Sequence, residues 1–186
     1  MFSITRESVP PGALLKTFRG GAHPERWGRY ADCFAVDVAG EVGLAEFVFA
    51  FYTSPLFGIE RFLLRMLIQA PSSRANARAV ADGTADKFAA WYVGARTTTQ
   101  LLMCDRYERT RSWFSVAPDG GGGTRLRFGS GVAARRDERD ARPHRPAAFN
   151  PLLGFHVLYS QALLHAARKN LYSAGGSAEL DGRARR

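Results

Sequence analysis

Lysine is scarce in this sequence. Of its 26 basic residues only Lys16, Lys87 and Lys169 are lysines, and the other 23 are arginines. Such a skew follows from a GC-rich coding bias as readily as from a binding surface. The formal net charge of +9 therefore does not by itself select nucleic acid or anionic lipid as a partner. Cysteine is nearly missing too. Cys33 and Cys104 lie far apart and outside any CxxC or Cys/His spacing, which excludes a disulfide scaffold and a structural zinc module. Two lone thiols suit a reducing compartment, so a cytoplasmic location is the expectation. Met1 to Glu7 lack a positive region followed by an apolar one, and no signal peptide is expected. No apolar run reaches the ~20 residues of a membrane span. The nearest, Val42 to Ile59, is broken by Glu46, Thr53, Ser54 and Pro55. A transmembrane helix is excluded; peripheral contact of an amphipathic segment with a membrane stays open. There is no GxGxxG run, and Gly120–Gly123 is not followed by Gly-Lys-Ser/Thr, so no nucleotide or other cofactor is expected.

What is present is the material of one globular domain. The chain has 186 residues, 46% of them hydrophobic and 12% aromatic, enough to bury a sizeable core. Its densest charged run, Arg135 to Arg145, holds five arginines and three acids and reads as a solvated loop.

Residues 1–29 read as an extended lead-in and 173–186 as a disordered tail, leaving 30–172 as the domain. Asp32 to Val38 reads as a first strand. Two consecutive helices follow, over 42–53 and 55–69, bent where Ser54 caps and Pro55 starts the second. Residues 71–86 read as a polar connection. Four strands are predicted next, over 88–93, 97–104, 109–116 and 124–133. In the last, Leu126, Phe128, Ser130 and Val132 share one face and Arg125 and Arg127 the other, the period-2 mark of a sheet with one face covered and one wet. Short connections predict an antiparallel meander. After a charged loop over 135–148, Asn150-Pro151 opens a long helix to about Leu171, with Leu152, Phe155, Tyr159, Leu163 and Ala167 on its apolar face.

The order is strand, two helices, antiparallel strands, long C-terminal helix: an α+β arrangement. It resembles the helix-grip fold of the START-like (SRPBCC, pollen-allergen-like) superfamily over residues 30–172. Short runs resemble a bacterial branch known as a domain of unknown function: Arg29-Tyr30-Ala31-Asp32-Cys33-Phe34, Arg109 to Phe114, Gly123 to Gly129, and Leu153 to Ser160. The resemblance implies a curved antiparallel sheet wrapped around the C-terminal helix, with a cavity between them for a hydrophobic or amphipathic small molecule, lipid or polyketide-like. It implies no single reaction.

On that expectation His156 is the most informative residue, near the middle of the apolar face of the last helix. It is a candidate ligand donor, a general acid or base, or a satisfied core histidine. Tyr159 and Ser160, one turn on, add hydroxyls to the same patch. Phe155, Phe62, Trp91, Trp113, Phe114 and Phe128 are candidates for the apolar lining, with cross-strand packing the competing reading for the aromatics on strands. Arg96, Arg109 and Arg111, with Asp105 and Glu108, read as a solvated hairpin rather than as charges at a cavity mouth. His165 falls half a turn out of phase, and His23 and His144 lie in loops, so no histidine pair suits a metal. Ser160, His156 and an aspartate do not make a triad without a GxSxG elbow. Three function classes remain: a small-molecule binding domain, which the pattern favours; a cyclase, dehydratase or hydrolase-like enzyme using His156 as acid or base; and a basic module for nucleic acid or anionic membrane, for which there is no recognition motif. Nothing in the pattern sets an oligomeric state.

Overall fold

The computed structural model describes residues 3–20, 30–57, 73–132 and 151–184, with the side chains of 157–173 in the last of these. Its centre is a curved, wholly antiparallel seven-stranded sheet. The strands are β1 (Thr5–Arg6), β2 (Ala31–Val38), β3 (Lys87–Phe88), β4 (Trp91–Arg96), β5 (Gln100–Asp105), β6 (Thr110–Pro118) and β7 (Thr124–Val132). Their order across the sheet is β1-β2-β7-β6-β5-β4-β3. The predicted strands over 32–38, 109–116 and 124–133 correspond to β2, β6 and β7. The turn between β6 and β7 is closed by Asp119, whose carboxylate accepts from the N–H groups of Gly121 (2.7 Å) and Gly123 (2.8 Å).

Alternation fixes one face of this sheet as the main core. Phe34, Phe128, Phe114 and Leu101 stand in one register row across β2, β7, β6 and β5, all buried. Helix α2 (Leu44–Tyr52) lies on this face and sends Phe47, Phe51 and Tyr52 into it. It also packs against α3 (Arg74–Asp82) and α4 (Pro151–Ala184). From α4 come Leu163, Leu164 and Ala167. Ser54 caps a second helical segment at 55–57 by accepting from the Phe57 N–H at 3.3 Å, as the Ser54-Pro55 pair predicts; the rest of the helix expected over 55–69 lies outside the described residues.

Four expectations are corrected. Residues 71–86 are not a mere connection: α3 occupies 74–82, with Ser73 accepting from the Asn76 N–H at 3.1 Å and Gly83 closing the helix at φ 78°. The single strand expected over 88–93 is a hairpin, β3 and β4, turning at Ala89 (φ 53°) and Ala90. The lead-in is structured where it is described: β1 pairs with β2, and α1 (Leu14–Thr17) follows it. The second sheet face is therefore only partly wet. Val9, Ala13 and Leu15 cover it and bury Cys33, Leu102, Cys104 and Trp113 in a second apolar cluster. Gly94 leaves room for this strap, because a Cβ there would stand 2.8 Å from the Cys104 sulfur and 3.3 Å from the Phe18 ring. The α4 backbone is helical past Leu171, to Ala184; the side chains of the expected tail beyond 173 are outside the described set.

Candidate functional site

Toward the end of the sheet where β6 begins, the packing between sheet and helices opens into a cavity of about 260 Å³. Three surfaces bound it. Among the described residues the sheet supplies Trp91, Thr110, Arg111, Ser112, Phe128 and Ser130; the α2 region supplies Phe51, Tyr52 and Phe57; α4 supplies Tyr159, Ser160 and Leu163. The cause is a change of residue size along the strands. The phenylalanine row fills the middle of the inner face. One pleat on, the equivalent row across β2, β7 and β6 is Asp32, Ser130 and Ser112, and these short side chains leave the space unfilled.

Of the residues singled out by the sequence, the structure brings Trp91, Arg111, Phe128, Tyr159 and Ser160 together in this lining. Phe114 is buried on the same face, its ring 5.3 Å from Phe128 and 4.8 Å from Phe51; it belongs to the core beneath the cavity. Trp113 points the other way, into the second cluster under the strap, where its indole N–H donates to Gln100 Oε1 at 2.8 Å. Phe62 lies outside the described residues, as do the side chains of Phe155 and His156. The pattern did not single out Phe57, Tyr52, Thr110, Ser112 or Ser130 for the site. Their signal was available: the inner-face positions of β6 and β7 switch from aromatic to hydroxyl within one step of the period.

The charges sort by face. Asp32, on the inner face, is 2% exposed. Its Oδ1 accepts from the Ser130 N–H (3.1 Å) and Oγ–H (2.6 Å), and its Oδ2 from the Tyr30 hydroxyl (3.0 Å). Arginines on β6 and β7 turn outward. Arg111 is 2% exposed, which corrects its reading as part of a solvated hairpin. Its guanidinium donates to the carbonyls of Phe18 (3.2 Å) and Gly20 (2.7 Å) and lies over the Phe18 ring at 5.1 Å. Arg96 is likewise committed, to the carbonyls of Ala81 (3.1 Å) and Val80, whereas Arg109 is exposed as expected. Arg125 grips Asp37 with two bonds (2.7 and 2.8 Å) and reaches Glu7 at 3.2 Å, while Arg127 holds Glu7 at 3.0 Å. The Arg125 hydrogen bonds hold the Asp37 carboxyl below its usual range.

Burial pushes the Tyr30 hydroxyl up to about 12, with the Asp32 charge and hydrogen bond adding to it. Burial, then Glu7, pushes the Cys33 thiol up to about 11. Both groups hold their protons more tightly folded than unfolded, so their contribution to stability is complete below the ordinary values of 9.0 for the thiol and 10.0 for the phenol and is lost above them. Stability is expected to fall between about pH 9 and pH 12, measured as a declining urea midpoint. A Cys33→Ser, Tyr30→Phe double variant is expected to flatten that decline; an equal decline in the variant would assign it to other groups.

Among the described residues no group of three or more His, Cys, Asp and Glu side chains is placed to hold a metal ion, and no helix is long and apolar enough to cross a membrane. No protein-family model, curated protein or solved structure matches the chain.

Proposed function

We propose that the chain is a START-like helix-grip domain that binds a hydrophobic or amphipathic small molecule between its sheet and C-terminal helix. The observation that carries this reading is the cavity of about 260 Å³, lined by aromatic residues and by the hydroxyl-bearing Thr110, Ser112, Ser130, Tyr159 and Ser160. Small-molecule sites combine a mostly apolar lining with a few convergent polar groups in this way. The size bounds the occupant. Drug-sized pockets run from ~300 to ~1,000 Å³, so a compact ring or a short-chain amphipath is a better match than a two-chain lipid. The hydroxyls orient such a ligand, and burial of its apolar body contributes about 25 cal/mol per Å² removed from water.

The test is native mass spectrometry of the protein purified from cells, followed by denaturing extraction and identification of small molecules. The expected result is a fraction of the protein heavier than the bare chain, releasing a compound with an apolar body. A bare chain mass, together with no response of the tryptophan fluorescence, to which Trp91 contributes from the lining, to a panel of apolar and amphipathic compounds, would overturn the reading.

A further inference from the structure

We infer that the ligand of this cavity is an organic cation: a substituted ammonium on a short apolar body. The inference rests on the cavity being a ligand site, as proposed above, and adds the charge of its occupant. Two independent features point the same way. The first is aromatic. Phe51, Tyr52, Phe57, Trp91, Phe128 and Tyr159 all contribute to the lining. Ring faces carry the negative end of the aromatic quadrupole and attract cations, most of all where water is excluded.

The second feature is the buried Asp32. It accepts from Ser130, a cavity-lining residue, and from Tyr30. These donors are neutral: burial, and then the Asp32 charge, push the Tyr30 hydroxyl further from ionisation. Among the described residues no cationic side chain forms an ion pair with Asp32. Buried charges are ordinarily paired with an opposite charge. Here the guanidinium groups that could serve are committed elsewhere: Arg111 is one of the residues along the cavity, but its guanidinium donates to the Phe18 and Gly20 carbonyls, and Arg125 and Arg127 are held by Asp37 and Glu7 on the opposite face of the sheet. Among the described residues the inner face is left with a carboxylate one hydroxyl away from the cavity. In a medium of low dielectric that charge favours a cation and disfavours an anion at short range. The chain's net charge of +9 opposes a cation at long range, but salt screens that repulsion beyond about 8–10 Å.

The experiment is isothermal titration of the full chain with three probes of similar size: benzyltrimethylammonium, its uncharged isostere neopentylbenzene, and phenylacetate. The ammonium is expected to bind at least roughly tenfold more tightly than the isostere, and phenylacetate more weakly than either. Asp32→Asn keeps a carbonyl acceptor for Ser130 and removes the charge. It is expected to cut the ammonium preference to about twofold or less while the isostere binds as before, and that retained binding shows that the variant is folded. Trp91→Leu, at a half-buried position, tests the aromatic contribution separately through the same ratio. Isostere binding as tight as the ammonium, or phenylacetate binding tighter, would overturn the assignment of charge and leave the binding function standing. Failure of all three probes to bind would overturn both.

Discussion

Phe51→Ala is expected to lower the stability of the fold by about 3–5 kcal/mol, the range for truncating a fully buried aromatic. Phe51 is 2% exposed and is the hub of the inner core. Its ring lies 4.7 Å from Phe128, 4.8 Å from Phe114, 5.6 Å from Tyr52 and 6.0 Å from Phe57. Two of these contacts join α2 to the sheet, the one with Tyr52 lies within α2, and the one with Phe57 joins α2 to the next helical segment. Edge-to-face pairs such as Phe51–Phe114 add about 0.5–1.5 kcal/mol beyond area burial. The site also borders the cavity, so the void left by truncation merges with space already present and cannot collapse onto a tight neighbour. The whole transfer loss is then felt. Urea denaturation measures the effect as a lower midpoint at an unchanged slope. Leu158→Ala, at a position 67% exposed, serves as the control and is expected to stay within about 0.5 kcal/mol of the parent. A loss under about 1.5 kcal/mol for Phe51→Ala would mean that α2 does not close the inner face as described.

How far such a core is legible in the sequence depends on what marks each element. β2, β6 and β7 announce themselves by alternation, and the Ser54-Pro55 boundary by its capping chemistry. Helix α3 is quieter. Its buried face is Ala77, Val80 and Ala81, side chains too small to draw an apolar stripe, and only Ser73, Asn76 and Gly83 at its ends betray it. The β3–β4 turn gives no warning, because it is made of two alanines with Ala89 in the left-handed region, where glycine, asparagine or aspartate is the usual signal. The outer face misleads for a different reason. Arg125 and Arg127 look solvated until Glu7, more than a hundred residues away, comes to meet them, and no local pattern reports so distant a partner. Trp113 and Phe114 are separable by parity alone. Neighbours on a strand point to opposite faces, so only one of the two could share a face with Phe128. The hydroxyl side of the cavity was legible in the same way, as Ser112 and Ser130 fall on the inner-face parity of β6 and β7.

Arg111→Met is expected to release the N-terminal strap and to cost about 2–4 kcal/mol in stability. Two effects oppose each other at this site. The guanidinium is buried, and burial lowers its proton affinity, so methionine removes a desolvation penalty and fills much of the volume. Against that, the Phe18 and Gly20 carbonyls lose their donors. An unsatisfied acceptor costs about 1–3 kcal/mol when buried; these carbonyls are part-buried, which puts each toward the low end, and two of them outweigh the relief. The carbonyls can recover water only if the strap lifts, and lifting uncovers the cluster that holds Leu102, Cys104 and Trp113. Local opening is therefore the cheaper response, and the thiols report it. In the parent, burial raises the pKa of both Cys33 and Cys104, so alkylation at pH 8 is expected to be slow. Arg111 itself lowers the Cys104 value, so its loss alone would make that thiol less reactive, not more. Faster Cys104 labelling in the variant can then come only from access. Labelling that stays at the parent rate, with stability down by less than about 1 kcal/mol, would show that Glu7, Leu15 and the Gln100 bonds to Gly12 and Leu14 hold the strap without the guanidinium.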